Sequence, residues 1–452
     1  MAHQAHNIPW SLLASNLHWS KTSHHGRGVT NLRPSMKPNQ GKELTYFIEA
    51  FIRTISDHSV CERKKFPSQY APVDPTDVIL EPVTVQKITP TVRKWRNHGF
   101  RGMCPSCICP VWKGEECRCI PIPDEAKKAS AFLRPTYVRY CYEPYKETLH
   151  VFFNVEVVKT LLMHEEMGTI LRICALPELD LKRWWTDYCE CGLCPRILGW
   201  DRVCIKALRT YVCLNTIYCF PEIWNEASGR TMEMDYRNSG CYQFTLRTCT
   251  STGYGSEVSS YPHRQFFGIG DNQFKGADDH PEIEKTHWLR WTTAKHRLGL
   301  LDYYFSRSDH CGMVPINEFL AVENKAFAGR RPGLSDVSLV QNYLYQKGLP
   351  VELVLDVMEL AGYQPVGRLS EPQDPFHSSN RTELARYLTY CWRLLVNCDM
   401  MAKAIGMQLP WKELLGNCIT DLWADDRYGH GRFFWWARDE YNALAHRVFI
   451  RP

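Results

Sequence analysis

Eight cysteines form two clusters whose spacing could bind a metal ion. The first cluster, C-x2-C-x-C-x7-C-x-C, covers residues 104–119, and the second, C-x-C-x2-C, covers residues 189–194. Zinc is bound by four nitrogen or sulfur ligands in a tetrahedron, and a C-x2-C pair in a tight turn presents two thiolates at the required separation. The spacing predicts one or two structural zinc ions, with the candidate ligands Cys104, Cys107, Cys109, Cys117, Cys119, Cys189, Cys191 and Cys194.

Two other interpretations of these clusters stay open. An iron–sulfur cluster also needs about four thiolates, and reduced cysteines can simply be buried as small apolar side chains. The prolines and charges that flank CPSCICP favour metal ligands over buried thiols. A site made entirely of thiolates has no open coordination position, so the predicted zinc is structural and does not take part in catalysis.

The N-terminal sequence lacks the basic region, apolar run and small-residue cleavage site of a secretory signal. We therefore expect a cytoplasmic or nuclear protein, in a reducing compartment where twenty cysteines are not expected to form disulfides. No run of about 18 uncharged apolar residues occurs, so no membrane span is expected. The net charge of +5 is too slight to indicate a membrane partner.

A basic and aromatic segment, TVRKWRNHGFRG, precedes the first cysteine cluster. Its cationic side chains are Arg93, Lys94, Arg96 and Arg101, and they surround Trp95. Basic residues interleaved with aromatic ones can hold phosphates and stack on bases, which makes nucleic-acid binding an alternative function. Because the net charge is only +5 over 452 residues, we interpret the segment as the solvated end of a strand with Trp95 in the core.

The sequence offers little for catalysis. It contains no Gly-x-Ser-x-Gly elbow, no phosphate-binding loop with Gly-Lys-Ser, and no His-Glu-x-x-His. His263, Arg264 and His280 are candidates for a ligand pocket in a β-rich module predicted over 237–330. An enzyme with a site there is the second alternative to a binding protein.

The patterns along the chain predict an α+β, multidomain protein. We expect a disordered tail over 1–41, a cysteine-rich α+β domain stapled by zinc over 42–236, a β-rich module over 237–330 and a helical interaction domain over 331–452. A β-hairpin is predicted from the aromatic and β-branched runs of TYVRYCYEPYKETLHVFFNVEVV, and short strands from the aromatic stretches between Gly and Ser turns after residue 237.

Helical periodicity occurs in three regions. KELTYFIEAFIRTISDH and GWDRVCIKALRTYVCLNTIYCF both carry apolar residues at helical spacing. In the C-terminal part, a capping box from Asn380 to Glu383 precedes a long helix. Its apolar residues predict a single buried stripe: Leu384, Leu388, Cys391, Leu395, Cys398, Ala402 and Ile405.

The segment KGLPVELVLDVMELAGY, residues 347–363, resembles the start of an F-box. The matching residues are Leu349, Pro350, Glu352, Leu353, Val357 and Leu360. The resemblance implies a helix that docks on a ubiquitin-ligase adaptor of the Skp1 type. The C-terminal part also resembles a broad set of uncharacterised proteins of filamentous fungi, which implies a source and no function. We therefore predict a non-catalytic intracellular binding or adaptor protein with a protein partner, or alternatively a zinc-stabilised nucleic-acid-binding regulator.

Overall fold

A computed structural model of the protein describes most of the chain. The described residues are 7–24, 27–35, 41–99, 122–133, 146–185 except 177, 180 and 183, 199–251, 257–270, 273, 311–312, 315–322, 334–361, 363 and 367–423.

Helices dominate the described part, which contains one sheet of two strands. The N-terminal elements are α1 Trp10–Ala14, β1 Leu17–His24, β2 Arg27–Pro34, α2 Gly41–Arg63 and α3 Pro82–Gly99. The middle elements are α4 Asp124–Lys127, α5 Ala129–Phe132, α6 Lys146–Met163, α7 Met167–Cys174, α8 Asp201–Tyr218, α9 Pro221–Trp224, α10 Gly240–Thr250 and α11 Glu257–Phe267. The C-terminal elements are α12 Ile316–Val322, α13 Leu334–Gln346, α14 Val351–Leu360, α15 Arg381–Ala404 and α16 Trp411–Trp423.

Helix α8 lies at the centre of the main hydrophobic core. Fourteen of its eighteen residues are buried, which is the pattern of a helix covered on every side. Helices α1, α10, α15 and α16 all pack against it. Elements from both ends of the described chain therefore share one core.

Aromatic rings join the two ends of the chain in this core. The Phe51 ring of α2 lies 5.7 Å from the Trp392 ring of α15, and Tyr211 of α8 lies 5.3 Å from Trp392. Trp10 of α1 contacts Tyr211 edge-on at 5.5 Å. Nearby, the buried Asn31 amide donates to the Leu422 carbonyl at 3.0 Å, across 391 residues of sequence.

Helix α1 and strands β1 and β2, within residues 10–24 and 27–34, lie in the segment 1–41, for which the composition predicts a disordered tail. Strands β1 and β2 pair antiparallel, with Leu17 opposite Pro34 and His24 opposite Arg27. Leu13, Leu17 and Leu32 are buried in the main core. The few apolar residues of this segment pack against the rest of the protein, a contact that its polar composition does not reveal.

The predicted β-rich module is wrong. Within residues 237–330 the described residues form α10, α11 and α12 and contribute no strand, only an isolated bridge from Ser239 to Thr30. Ser239 instead caps α10, because its side chain accepts from the Tyr242 amide. Buried Cys241, Thr245 and Cys249 follow at intervals of four, a helical repeat that the aromatic residues obscured.

The predicted α+β class is wrong for the same reason. The hairpin expected within 136–158 is replaced, over its second half, by α6, where Phe153, Val155 and Val158 are all buried. A continuous apolar run does not separate a buried strand from a buried helix, and here the helix forms. Trp95 likewise lies in helix α3 and not at the end of a strand. The domain boundaries proposed from the sequence stay predictions.

The long C-terminal helix is present, and its predicted stripe is buried. Six of the stripe residues are buried and the seventh, Ile405, is partly buried: Leu384, Leu388, Cys391, Leu395, Cys398 and Ala402. The predicted capping box does not form. The Asn380 side chain instead donates to the carbonyls of Glu371 and Asp374, both at 2.7 Å, and so fixes the loop before α15.

Helices α13 and α14 form a hairpin with a small core of its own. Val337, Val354 and Met358 are its buried residues, and they form a cluster separate from the main core. Gly348 has a φ of +85° in the turn, a conformation that glycine adopts without strain. Pro350 then occupies the first turn of α14, where the Val354 amide donates to its carbonyl. No helix of the described residues has both the length and the apolar character needed to span a bilayer.

Candidate functional site

The predicted zinc ligands lie outside the described residues. All eight cysteines fall within 101–121 or 186–198, as does Arg101, and His280 is also outside. Within the described part of the chain, no group of three or more His, Cys, Asp or Glu side chains is placed to hold a metal ion. Several cysteines there are core residues, and burial raises the pKa of the Cys249 and Cys418 thiols to about 12.

The basic and aromatic segment is divided by helix α3. Arg93 is exposed, whereas Trp95 is 1% exposed and donates from Nε1 to Thr160 Oγ1 at 3.2 Å. The Lys94 and Arg96 backbones belong to the same helix, and their side chains are outside the description. Trp95 is therefore a core residue and is not available to stack on a base.

His263 and Arg264 lie in α11, inside the main core. Nδ1 of His263 is 2.6 Å from the Tyr387 hydroxyl of α15, and the Phe266 ring stacks on Tyr387 at 3.7 Å. The Arg264 guanidinium lies 4.4 Å from the centre of the Tyr261 ring. Burial, with a contribution from the charge of Lys206, lowers the pKa of His263 to about 3. The imidazole is therefore neutral at physiological pH.

A second polar pair, which the sequence did not indicate, lies in the same region. The buried Lys206 ammonium of α8 donates to the Ser260 hydroxyl of α11. Ser260 in turn donates to the Ser251 carbonyl at 2.6 Å. With its proton committed to a carbonyl and its oxygen to an ammonium, Ser260 is fixed as part of a core network. This geometry joins α8 to α11 and does not present a nucleophile to a ligand.

The exposed apolar residues are concentrated on the α13–α14 hairpin. Among the described residues, seven of the twelve large apolar side chains that are well exposed lie between 339 and 357: Leu339, Tyr343, Tyr345, Val351, Leu353, Leu355 and Val357. The other five are scattered over the rest of the chain, at Tyr46, Val60, Val78, Val83 and Met232. A local concentration of this kind makes the hairpin a candidate interaction surface, whereas single exposed apolar residues are ordinary.

Helix α14 has an unusual distribution of side chains around its axis. Residues one turn apart share a side, because the helix advances 100° per residue. Val354 and Met358 form the side that is buried against α13. The two flanking sides are exposed and apolar, one formed by Val351 and Leu355 and the other by Leu353 and Val357. The fourth side is acidic and carries Glu352 and Asp356.

One exposed cation lies at the hairpin turn. The Lys347 ammonium is 5.3 Å from the centre of the Tyr343 ring, so it lies over an aromatic face. Glu352 and Asp356 are exposed farther along α14. The surface is thus apolar with an acidic edge.

The family described as gramillins biosynthetic cluster protein GRA5 matches residues 11–436. The chain belongs to this family. The match includes both the main core and the hairpin, and it is consistent with the predicted resemblance to uncharacterised fungal proteins. The family match gives no support for an F-box at 347–363. No curated protein and no solved structure shows a significant match.

Proposed function

We propose that this member of the GRA5 family is a non-catalytic binding protein whose α13–α14 hairpin docks a partner protein. The observation that supports this proposal is the group of seven exposed apolar side chains on one short hairpin. Leaving such a surface in water is unfavourable, and burying it against a partner gains about 25 cal/mol for each Å² of apolar area removed from water. The description of the family names a biosynthetic cluster. We therefore propose that the chain supports that biosynthesis by binding a partner protein.

Comparative purification tests this function. A variant carrying Leu339→Ser, Leu353→Ser and Leu355→Ser removes apolar surface without touching the hairpin core. Val83→Ser is the control, because Val83 is 77% exposed on α3 and lies outside the hairpin. We expect proteins that co-purify with the parent chain to be lost with the triple variant and retained with the control. An identical set of co-purifying proteins in all three samples would disprove the proposal.

Docking to a Skp1-type adaptor is a more specific form of this proposal, and it has less support than docking to a partner protein in general. Only the entry helix of an F-box has a counterpart in the hairpin. The segment YLTYCWRLLV, which could have supplied a later F-box helix, lies in α15, where Leu388, Cys391 and Leu395 are buried in the main core. Calorimetric titration with a purified Skp1-type adaptor tests this proposal, and absence of heat would remove it.

Structural zinc remains a proposal that rests on the cysteine spacing. Elemental analysis of protein purified without added metal should find one or two zinc ions per chain. Cys107→Ser and Cys191→Ser should lower both the zinc content and the melting temperature, because thiolate ligands couple metal binding to folding. Cys61→Ser, at an exposed cysteine of α2, is the control and should change neither.

Nucleic-acid binding is retained as the alternative, on the basis of exposed Arg93. It predicts an affinity that falls steeply with salt and that weakens when Arg93, Lys94 and Arg96 are changed to Ala. A cytoplasmic or nuclear location belongs to both proposals, and fluorescence microscopy of a tagged chain tests it.

A further inference from the structure

Helix α14 has the side-chain pattern of a helix inside a bundle, although α13 covers only one side of it. Three of its four sides are apolar, and two of those are exposed. A helix that is apolar around most of its circumference is normally buried by neighbours on several sides. The hairpin therefore has room for at least one further element packed along α14.

The geometry favours a helix as that element. The exposed pairs Leu339 and Tyr343 on α13, and Val351 and Leu355 on α14, are each one turn apart. Such rows form ridges that fit the grooves of another helix. Amphipathic helices dock on helical grooves by presenting apolar residues at the same spacing. The hairpin offers no sheet edge, so a partner strand would find no backbone groups to pair with.

Charge selects among the helices that could dock. Residues 334–360 contain four acidic residues and one basic residue, although the whole chain carries a net charge of +5. Two of the acidic residues, Glu352 and Asp356, are exposed between the two apolar sides of α14. Two copies of this hairpin would bring these carboxylates together, and like charges at an interface oppose association. An anionic membrane is disfavoured for the same reason, since it attracts basic segments.

We propose that the hairpin binds an amphipathic helix that carries Lys or Arg beside its apolar stripe. This inference rests on the proposed function and specifies the chemistry of the partner. The partner's apolar stripe covers one exposed apolar side of α14, that of Val351 and Leu355, and its basic side chains face Glu352 and Asp356 on the adjacent side. The apolar contact supplies most of the affinity, and the charges supply selectivity and orientation.

Two synthetic peptides test the proposal against the full-length protein. Both have about 18 residues with one Leu stripe at helical spacing, and they differ only in having Lys or Glu beside the stripe. Fluorescence anisotropy measures their dissociation constants at low and high salt. We expect the Lys peptide to bind at least about 10-fold more tightly than the Glu peptide, with the preference shrinking as salt increases.

Charge reversal on the hairpin provides the decisive comparison. Glu352→Lys with Asp356→Lys should invert the preference between the two peptides. Glu226→Lys with Glu233→Lys, a matched reversal at two exposed residues outside the hairpin, should leave it unchanged. Leu353→Ser with Leu355→Ser should weaken binding of both peptides. Circular dichroism confirms that each variant retains its helix content.

The outcomes separate this inference from the function on which it rests. Equal binding of the two peptides, or a preference unchanged by the hairpin charge reversal, would overturn the basic-helix proposal. So would self-association in sedimentation that Leu355→Ser abolishes, or binding to phosphatidylserine vesicles that requires the hairpin. In each of these cases co-purification of proteins through the hairpin could still hold, because that experiment does not depend on the partner's charge.

Discussion

The hydroxyl of Tyr387 lies 2.6 Å from Nδ1 of His263, and this contact joins α15 to α11 within the main core. Both residues are buried. Burial, with the positive charge of Lys206, lowers the pKa of the imidazole to about 3. A neutral histidine that cannot be protonated in the folded state makes stability depend on pH.

The first prediction concerns that dependence. The folded protein leaves His263 unprotonated down to about pH 3, whereas in the unfolded chain the imidazole takes up a proton below about pH 6.5. Unfolding therefore binds a proton between these values, and the stabilisation, complete above about pH 6.5, is lost as pH falls. Urea denaturation between about pH 7 and pH 4 measures the free energy of unfolding. Its slope against pH should be steeper in the parent than in His263→Gln, by up to about 1.4 kcal/mol per pH unit.

His18→Gln, at an exposed histidine of β1, is the control and should keep the parent slope. Equal slopes in His263→Gln and the parent would contradict a neutral buried ring.

The second prediction concerns a buried ion network. Arg230 contacts Asp235 at 2.6 Å and Asp374 at 2.9 Å, and the Tyr236 hydroxyl donates to Asp374 at 2.7 Å. Arg237 also contacts Asp235, at 2.7 Å. Asp374→Ala therefore leaves two guanidinium groups with one carboxylate, and this excess buried charge should cost about 3 to 5 kcal/mol in the free energy of unfolding. Glu62→Ala breaks an exposed ion pair with Lys65 and should cost less than about 1 kcal/mol. Chemical denaturation of both variants makes the comparison, and similar losses would show that the Arg230 network is not buried.

The third prediction compares two leucines. Leu395 is completely buried in α15, whereas Leu339 is 69% exposed on α13. Leu395→Ala should destabilise by about 2 to 5 kcal/mol, through lost transfer free energy and the cavity left behind. Leu339→Ala should change stability by less than about 0.5 kcal/mol. Thermal unfolding monitored by circular dichroism measures both. A large loss in Leu339→Ala would show that the hairpin surface is already covered within this chain.

The fourth prediction concerns two glycines. A Cβ at Gly367 would lie 2.8 Å from Gly268 Cα, so two backbone segments meet there without space for a side chain. Gly367→Ala should therefore destabilise, by about 1 to 3 kcal/mol. Gly168→Ala is the matched control, because nothing lies within 4 Å of its Cβ in helix α7. It should stabilise by about 0.5 to 1 kcal/mol. We expect the melting temperature to fall in Gly367→Ala and to rise in Gly168→Ala.

The helices predicted from sequence are those with clear one-sided or long periodic patterns. The apolar spacing of Leu44, Phe47 and Phe51 in α2, and of the stripe in α15, identified both helices. Helix α10 was missed because its aromatic and β-branched residues are also typical of strands, and burial on most sides removes the polar face that reveals a helix. Local pattern cannot show how many neighbours an element will have.

The candidate docking surface was predictable only in part. The helix implied over 347–363 is present as α14, Val351–Leu360. Which of its sides is covered depends on tertiary contacts, and exposure of Val351, Leu353 and Leu355 emerges only from the structure.

The position of α8 also has a consequence for synthesis on the ribosome. Its neighbours α15 and α16 are encoded about two hundred residues after it, and translation adds roughly 5 to 20 residues per second. For about ten seconds or more the nascent chain has made its central helix without the segments that cover it. During that interval the apolar sides of α8 are available to chaperones, and a ribosome that stalls before residue 381 releases a chain that cannot complete its core.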